Sequence, residues 1–148
     1  MAPPLLPLDD RVAVTGQLKP HDMAEIAAAG YVAVVNNRPD GEAMFGQPRT
    51  GDLKNAAEAA GLTFFDLPFS GPNAQPEQVK AFADLLAGQP GRVVAFCKSG
   101  MRSSLLWGAA SIASGRSLEE VLATALRAGQ NLDPIAETMV ALARAARA

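Results

Sequence analysis

Sulfur and imidazole ligands are scarce in this sequence, which has one cysteine and one histidine among 148 residues. One cysteine cannot form an internal disulfide, and one cysteine with one histidine cannot complete the four-ligand cage of a structural zinc site. We therefore expect no metal and no bound cofactor. A thiol that stays free is typical of a reducing compartment, so we expect a cytoplasmic protein.

An excess of one charge and a long apolar run are also missing. The 13 basic and 15 acidic residues leave a net charge of −2 without a basic cluster, which argues against nucleic acid as a partner. No apolar run reaches the ~20 residues that cross a bilayer, and the start, MAPPLLPLDD, lacks the regions of a secretory signal. We expect neither a membrane nor a nucleic-acid partner, and the sequence leaves the oligomeric state open.

The chain does contain an alternation of short apolar runs and helical patterns. Runs that predict strands lie at 11–18, 31–37, 62–69 and 92–97, and helical patterns lie at 19–30, 52–61, 77–88, 101–114, 117–128 and 133–147. This order predicts an α/β fold with a mostly parallel central sheet of about four to five strands, flanked by helices. Since 49% of the residues are hydrophobic, we expect one core and one domain over 1–148.

The stretch VVAFCKSGMRSS (93–104) combines the residue types of an anion site. Cys97 ends a predicted strand, and a glycine-containing turn leads into a predicted helix. Backbone amides at a helix N-terminus attract anions, and Arg102 adds a planar pair of donors. The same field favours the thiolate of Cys97, so we predict Cys97 as the nucleophile. The residues expected to bind the substrate are Lys98, Ser99, Gly100, Met101 and Ser103, and the Ser103 hydroxyl is expected to reach the sulfur. A buried, inert cysteine before a solvated turn is the alternative.

Three motifs in order resemble a known family: VVNNRPDGE (34–42), FFDLPFSG (64–71) and CKSGMRS (97–103). The family is the one named for the phosphatase-like domain of beta-lactamase-hydrolase-like proteins, and the resemblance covers about residues 10–115. It implies the cysteine-phosphatase fold of tyrosine and dual-specificity phosphatases. Because members have also been assigned sulfurtransferase activity of the rhodanese kind, the resemblance implies the fold more firmly than the reaction.

The predicted loop departs from the tyrosine-phosphatase pattern. Those enzymes carry His before the Cys and five residues between Cys and Arg, whereas Phe96 precedes Cys97 here and four residues separate Cys97 from Arg102. A shorter ring of amides encloses a smaller space, and four intervening residues resemble the rhodanese loop. We therefore predict a sulfurtransferase that moves sulfane sulfur from thiosulfate or a similar small anion to a thiol acceptor through a Cys97 persulfide. A phosphatase with a phosphocysteine intermediate and a non-catalytic anion-binding module are the alternatives.

Two further polar residues are candidates for the same site. Asp66 lies upstream of Cys97 on a segment where phosphatases of this fold carry the general acid; alternatively, it is a strand-end aspartate that bonds its own turn. Arg38 reaches the same edge of the sheet if its strand and the strand before Cys97 are parallel neighbours. The alternative for Arg38 is an ion pair with Asp40 or Glu42.

Overall fold

One sheet and six α-helices make up the part of the chain that the computed structural model describes, residues 2–70 and 73–147. The strands are β1 (Leu6–Pro7), β2 (Val12–Thr15), β3 (Ala33–Asn36), β4 (Thr63–Asp66) and β5 (Val93–Phe96). The helices are α1 (Met23–Ala28), α2 (Thr50–Ala59), α3 (Pro76–Ala87), α4 (Met101–Ala113), α5 (Leu118–Arg127) and α6 (Ala136–Arg147). Positions 71 and 72, at the end of the FFDLPFSG motif and in the loop before α3, lie outside the described residues.

The strand order is β1-β2-β5-β3-β4, with β1 antiparallel to β2 and the other pairs parallel. This arrangement confirms the predicted fold class, and each of the four predicted strands lies within its predicted run. The sequence does not predict β1, because a two-residue strand that contains a proline is too short to show the alternation of apolar and polar residues that identifies a strand. It is an edge strand, where proline is tolerated.

The parallel register aligns the ends of four strands. Thr15 of β2 pairs with Phe96 of β5, Phe96 with Asn36 of β3, and Asn36 with Asp66 of β4. The segments that follow these residues therefore leave the sheet along one edge, which is where ligand sites of open α/β sheets form. The prediction that the strands before Arg38 and Cys97 are parallel neighbours is confirmed.

Both faces of the sheet are covered, which explains the continuous apolar runs of the central strands. Every residue of β2, β3 and β5 is buried. On one face, Val14, Val35 and Ala95 join a core with residues of α3, α4, α5 and α6. On the other face, Val34 and Val94 join a core with residues of α1 and α2. The sheet is thus held rigidly between two helical layers.

The helix starts follow the sequence signals with one correction. Ser117 and Glu120 have the sequence spacing of a capping box, which predicts a helix start, and the Ser117 hydroxyl accepts the Glu120 amide at 3.1 Å and caps α5. Asp133 followed by Pro134 predicts Asp133 as the N-cap of the last helix, but Asp133 is the first residue of a 3₁₀ turn, Asp133–Ile135, that precedes α6. Leu132 is the residue before this turn and is buried in the core.

Helix α4 carries the loop of interest and is packed on nearly all sides. Its buried residues include the continuous run from Ser103 to Ala109. Helix α6 crosses it so closely that a Cβ on Gly108 would collide with the Met139 sulfur. Although α4 is so apolar, neither it nor any other helix in the described part of the chain is long and apolar enough to cross a membrane.

Candidate active site

Cys97 lies directly after the central strand β5 and is held by both neighbouring strands. Its amide donates to the Thr15 carbonyl at 3.3 Å, and the Phe96 carbonyl accepts the Asn37 amide at 2.9 Å. The side chain is only 1% exposed. The Gly100 amide donates to the Cys97 sulfur at 3.0 Å. The loop therefore places a backbone donor at the sulfur, and the role of Cys97 as a thiolate nucleophile stays a prediction.

Gly100 occupies a position that only glycine suits. Its φ is +94°, in the left-handed region, and a Cβ would lie 3.2 Å from Gln130 Nε2 and 3.4 Å from the Thr15 carbonyl oxygen. The Gly100 carbonyl accepts both the amide and the hydroxyl of Ser104 at 2.9 Å. This turn starts α4 beside the sulfur, so the unpaired amides of the first helical turn lie at the site.

The remaining loop residues differ in what their side chains can reach. Lys98 and Ser99 are exposed and Met101 is half-buried. Ser103 is buried, and its hydroxyl donates to Asn37 Oδ1 at 2.8 Å rather than to the Cys97 sulfur. Asn37 follows the neighbouring strand β3 and presents an acceptor that the sequence motif does not reveal. The expected Ser103–sulfur bond is therefore wrong, and substrate binding by these four residues and Gly100 stays a prediction.

Arg102 is held in place by Glu42, 60 positions earlier in the chain. Its two terminal nitrogens donate to the two carboxylate oxygens at 2.6 and 2.8 Å, and one of them also donates to the Phe69 carbonyl at 3.1 Å. The Arg102 side chain is 15% exposed. A paired contact of this kind fixes the plane of the guanidinium.

Arg38 forms part of the same cluster. Its Nε donates to Glu42 Oε1 at 2.8 Å, and its NH1 donates to Gln17 Oε1 at 2.9 Å. The side chain is 7% exposed. The alternative of an ion pair with Glu42 is confirmed, and direct contact between Arg38 and a substrate stays a prediction. Glu42 thus joins two arginines behind the site.

These contacts shift the pKa values of Glu42 and Arg102. Hydrogen bonds from Arg102, and then from Arg38, lower the pKa of Glu42 from 4.5 to about 2, against the opposing effect of burial. The hydrogen bond with Glu42 raises the pKa of Arg102 above its ordinary value, and the nearby Cys97 sulfur adds to this effect. Arg102 is therefore electrostatically coupled both to the predicted nucleophile and to Glu42.

We predict that Glu42→Gln lowers the free energy of unfolding most at neutral pH. The folded pKa of Glu42, about 2, lies below the ordinary 4.5. Ionised Glu42 therefore adds on the order of 1–3 kcal/mol to the free energy of unfolding. This stabilisation is complete above pH 4.5 and is lost as the pH falls towards 2. Urea unfolding of wild type and variant between pH 7 and about pH 2.5 measures it. A stability difference that stays constant over this range would contradict the assigned pairing.

Asp66 ends β4 and is exposed, but its carboxylate is tied to the neighbouring strand. Asn36 Nδ2 donates to Asp66 Oδ1 at 3.0 Å, and the same amide also lies within bonding distance of Thr50 Oγ1. The alternative was a hydrogen bond between the Asp66 carboxylate and its own turn. The structure shows instead that the carboxylate accepts from Asn36, which is paired with Asp66 in the neighbouring strand β3. The proposed role of Asp66 as a general acid stays a prediction.

The sequence predicts Glu42 only as a possible ion-pair partner of Arg38, and it does not predict the contact between Glu42 and Arg102. The available signal was its place in the VVNNRPDGE motif, at the same sheet edge as CKSGMRS. Asn37, which accepts from Ser103, lies in the same motif, whereas Gln17, which accepts from Arg38, lies in none of the three motifs. Within residues 2–70 and 73–147, no three His, Cys, Asp or Glu side chains are grouped as metal ligands.

Comparison with known proteins places this arrangement in a family. The family model of the phosphatase-like domain of beta-lactamase hydrolase-like proteins matches residues 5–114. The chain belongs to this family. A beta-lactamase hydrolase-like protein of Agrobacterium fabrum is 35% identical over 109 residues, which are 74% of this chain and 25% of that protein. One from Xylella fastidiosa is 31% identical over 112 residues, 76% of this chain and 26% of that protein. The chain thus spans about a quarter of the length of these relatives.

Solved structures show the same fold. A Neisseria meningitidis protein assigned as a phosphatase superposes with a TM-score of 0.83 at 33% identity, covering 93% of this chain and 96% of that one. The structure of Tk-PTP in its active form gives a TM-score of 0.75 at 22% identity, covering 97% and 99%. The resemblance that the three motifs indicate is confirmed. The chain has the cysteine-phosphatase fold.

Proposed function

We propose that this chain is a sulfurtransferase that moves a sulfane sulfur from a thiosulfate-like donor to a thiol through a persulfide on Cys97. The observation that carries the proposal is the four-residue spacing between Cys97 and Arg102. Within this spacing the Gly100 amide turns back to 3.0 Å from the sulfur, so only a short arc of amides remains for substrate oxygens. In thiosulfate the attacked outer sulfur carries no oxygen, and the sulfonate oxygens lie one bond farther away. A phosphoryl group carries three oxygens on the attacked atom itself.

The transfer consists of two displacements. The Cys97 thiolate attacks the outer sulfur of thiosulfate; a new S–S bond forms, the original S–S bond breaks, and its electron pair leaves with sulfite. The loop amides and Arg102 hold the sulfonate oxygens and stabilise the charge that develops on sulfite. No proton is required, because sulfite leaves as a stable anion. The product on the protein is a Cys97 persulfide.

The second displacement needs a thiol from outside the chain. Cys97 is the only cysteine in the sequence, so no second cysteine can take the sulfur. An external thiolate attacks the outer persulfide sulfur, forms its own persulfide and returns Cys97 as the thiolate.

A phosphatase is the second candidate, and the comparisons favour it over sulfur transfer. The family is described as phosphatase-like, and the similar Neisseria meningitidis protein is assigned as a phosphatase. In this reaction the Cys97 thiolate attacks phosphorus, the alcohol leaves with a proton from an acid such as Asp66, and water then hydrolyses the phosphocysteine. The planar guanidinium of Arg102 is a donor that can bind a phosphate dianion as well as a sulfonate.

The two candidates are separated by turnover of thiosulfate and of an aryl phosphate in wild type and Asp66→Asn. For sulfur transfer we expect thiosulfate turnover that changes by only a few-fold in the variant, on the order of 1 kcal/mol or less in the barrier. A phosphatase is expected to lose about 10²–10⁴-fold in aryl phosphate hydrolysis, because its leaving group needs the proton. Mass spectrometry after incubation with thiosulfate identifies one added sulfur atom on Cys97.

The matched control is Asp84→Asn, the same change at an exposed aspartate of α3. It is expected to leave both activities at the wild-type level. Wild-type protein that hydrolyses aryl phosphate, acquires no sulfur from thiosulfate and depends strongly on Asp66 would refute sulfur transfer and establish the second candidate.

A further inference from the structure

Gln130 lies against the turn that follows Cys97, although it belongs to a later part of the chain. Its Nε2 donates to Ser104 Oγ at 3.2 Å. The same nitrogen lies 3.2 Å from the point where a Cβ on Gly100 would be, so the amide group packs on the Gly100 backbone. Gln130 is half-buried and lies outside residues 5–114, the part of the chain that the family model matches. Neither the three motifs nor the family therefore assigns it a role.

The end of α5 determines where Gln130 lies. The Gly129 amide donates to the Leu126 carbonyl at 3.0 Å, and the Gln130 amide donates to the Ala125 carbonyl at 2.9 Å. Gly129 has a φ of +99°. These two bonds and the left-handed glycine form the Schellman motif that ends a helix. Because Ala125 is buried in the core, α5 is anchored there, and the motif holds the Gln130 backbone in one position.

A chain of hydrogen bonds connects Gln130 with the turn after Cys97. Ser104 Oγ accepts from Gln130 and donates to the Gly100 carbonyl at 2.9 Å. A hydroxyl carries a single proton, so a donor on its oxygen keeps that proton directed at the carbonyl. On the other side of the same glycine, the Gly100 amide donates to the Cys97 sulfur at 3.0 Å. The two peptide groups of Gly100 are thus held, one by Cys97 and the other by Ser104.

The restraint on Gly100 orients two amides at the site. Glycine has more backbone freedom than any other residue, so the conformation of this turn depends on the groups around it. One amide is that of Gly100, which contacts the sulfur. The other is that of Met101, the first residue of α4. A peptide group is planar and trans, so the direction of the Gly100 carbonyl sets the Met101 amide in the opposite direction.

We infer that Gln130 is a positioning residue for the nucleophile: through Ser104 it keeps the Gly100 turn in the conformation in which the backbone donates to the Cys97 sulfur. A hydrogen bond to the charged form favours the thiolate over the thiol. Without the Gln130 donor the turn is less restrained, and the sulfur ionises less readily. Sulfur transfer and phosphate hydrolysis both begin with the Cys97 thiolate, so the positioning role is independent of which reaction follows. Only its effect on turnover rests on the proposed function.

Titration of the Cys97 sulfur tests the inference without a substrate. Because Cys97 is the only cysteine, protein made with ¹³C-labelled cysteine gives one Cβ signal, and its chemical shift follows the ionisation of the sulfur. Gln130→Met keeps the length of the side chain and removes the donor. We expect this variant to raise the midpoint of the titration, followed across about pH 4–10, by roughly 0.5–1 pH unit. The substitution leaves the net charge unchanged, so the positive charge of Arg102, which interacts with the sulfur, is present in both proteins.

A second variant tests the route through Ser104. We expect Ser104→Ala to raise the midpoint as well, and Gln130→Met to add little in the Ser104→Ala background, because both changes interrupt one chain of hydrogen bonds. The matched control is Gln89→Met, the same change at a half-buried glutamine between α3 and β5, away from the sheet edge that carries the Cys97 loop. It is expected to keep the wild-type midpoint.

An identical midpoint in wild type and Gln130→Met overturns the inference, and so do shifts of the two variants that simply add in the double variant. Thermal unfolding of the same proteins separates positioning from stability. A lower melting temperature of Gln130→Met with an unchanged midpoint would assign Gln130 to fold stability alone and would also refute the positioning role.

Turnover separates this inference from the proposed function. With thiosulfate as donor, we expect the pH profile of kcat/KM to move upwards in Gln130→Met by the same amount as the titration midpoint, and to stay in place in Gln89→Met. If wild-type protein transfers no sulfur, the proposed sulfur transfer fails, and the titration still decides the role of Gln130. If thiosulfate is used and neither the profile nor the midpoint moves in Gln130→Met, the inference fails while the proposed function stands.

Discussion

Cys97→Ser is expected to abolish turnover, with a loss of at least about 10³-fold, while the fold is retained. A serine hydroxyl is a far weaker nucleophile than a thiolate, and one backbone donor from Gly100 cannot compensate for that difference. The substitution is nearly isosteric, and the strands on either side of β5 hold the backbone at this position. Steady-state turnover and mass spectrometry after incubation with the donor measure the effect.

Structural integrity of the serine variant is checked by thermal unfolding and by the near-UV circular dichroism of Trp107, which is buried in the core. An unchanged spectrum with lost turnover assigns the effect to chemistry. If the serine variant keeps appreciable activity, Cys97 is not the nucleophile. A wild-type protein whose Cys97 accepts neither sulfur nor phosphate would instead support the non-catalytic anion-binding module.

Arg102→Lys is expected to lower kcat/KM about 10²-fold although the net charge is unchanged. Lysine keeps the positive charge but cannot donate simultaneously to both oxygens of Glu42 and to the Phe69 carbonyl in one plane. The ammonium group therefore has no fixed orientation towards the leaving anion. Kinetics of wild type and variant with the same donor measure the loss, and the affinity for sulfate reports the change in ground-state anion binding.

Arg116→Lys is the matched control. Arg116 also pairs with two carboxylates, Asp9 at 3.5 Å and Glu120 at 3.4 Å, and it lies over the Trp107 ring rather than at the Cys97 loop. We expect this variant to keep wild-type kcat/KM. An Arg102→Lys variant with near-normal catalytic efficiency would reduce Arg102 to a structural partner of Glu42.

The sequence by itself determined the alternation of strands and helices and the position of the Cys97 loop, but not β1 or the turn before α6. The parallel strands β2, β3 and β5 were predictable because strands buried on both faces have continuous apolar runs, and such a run can be read from adjacent residues of the sequence. The cap at Ser117 and the turn at Gly100 were predictable for the same reason, since each follows from the local chemistry of one residue. Cys97 and Arg102 were recognisable because both belong to one contiguous motif.

Only the tertiary structure decided which side chains complete the site. Glu42 meets Arg102, Ser103 meets Asn37, and Asp66 meets Asn36 across 60, 66 and 30 positions of sequence. These contacts depend on the strand order and on the register that aligns the ends of β2, β5, β3 and β4. A shift of one residue turns every side chain of a strand to the opposite face. Since no local pattern encodes that register across long loops, the partners of Arg102, Ser103 and Asp66 emerge only when the whole chain has folded.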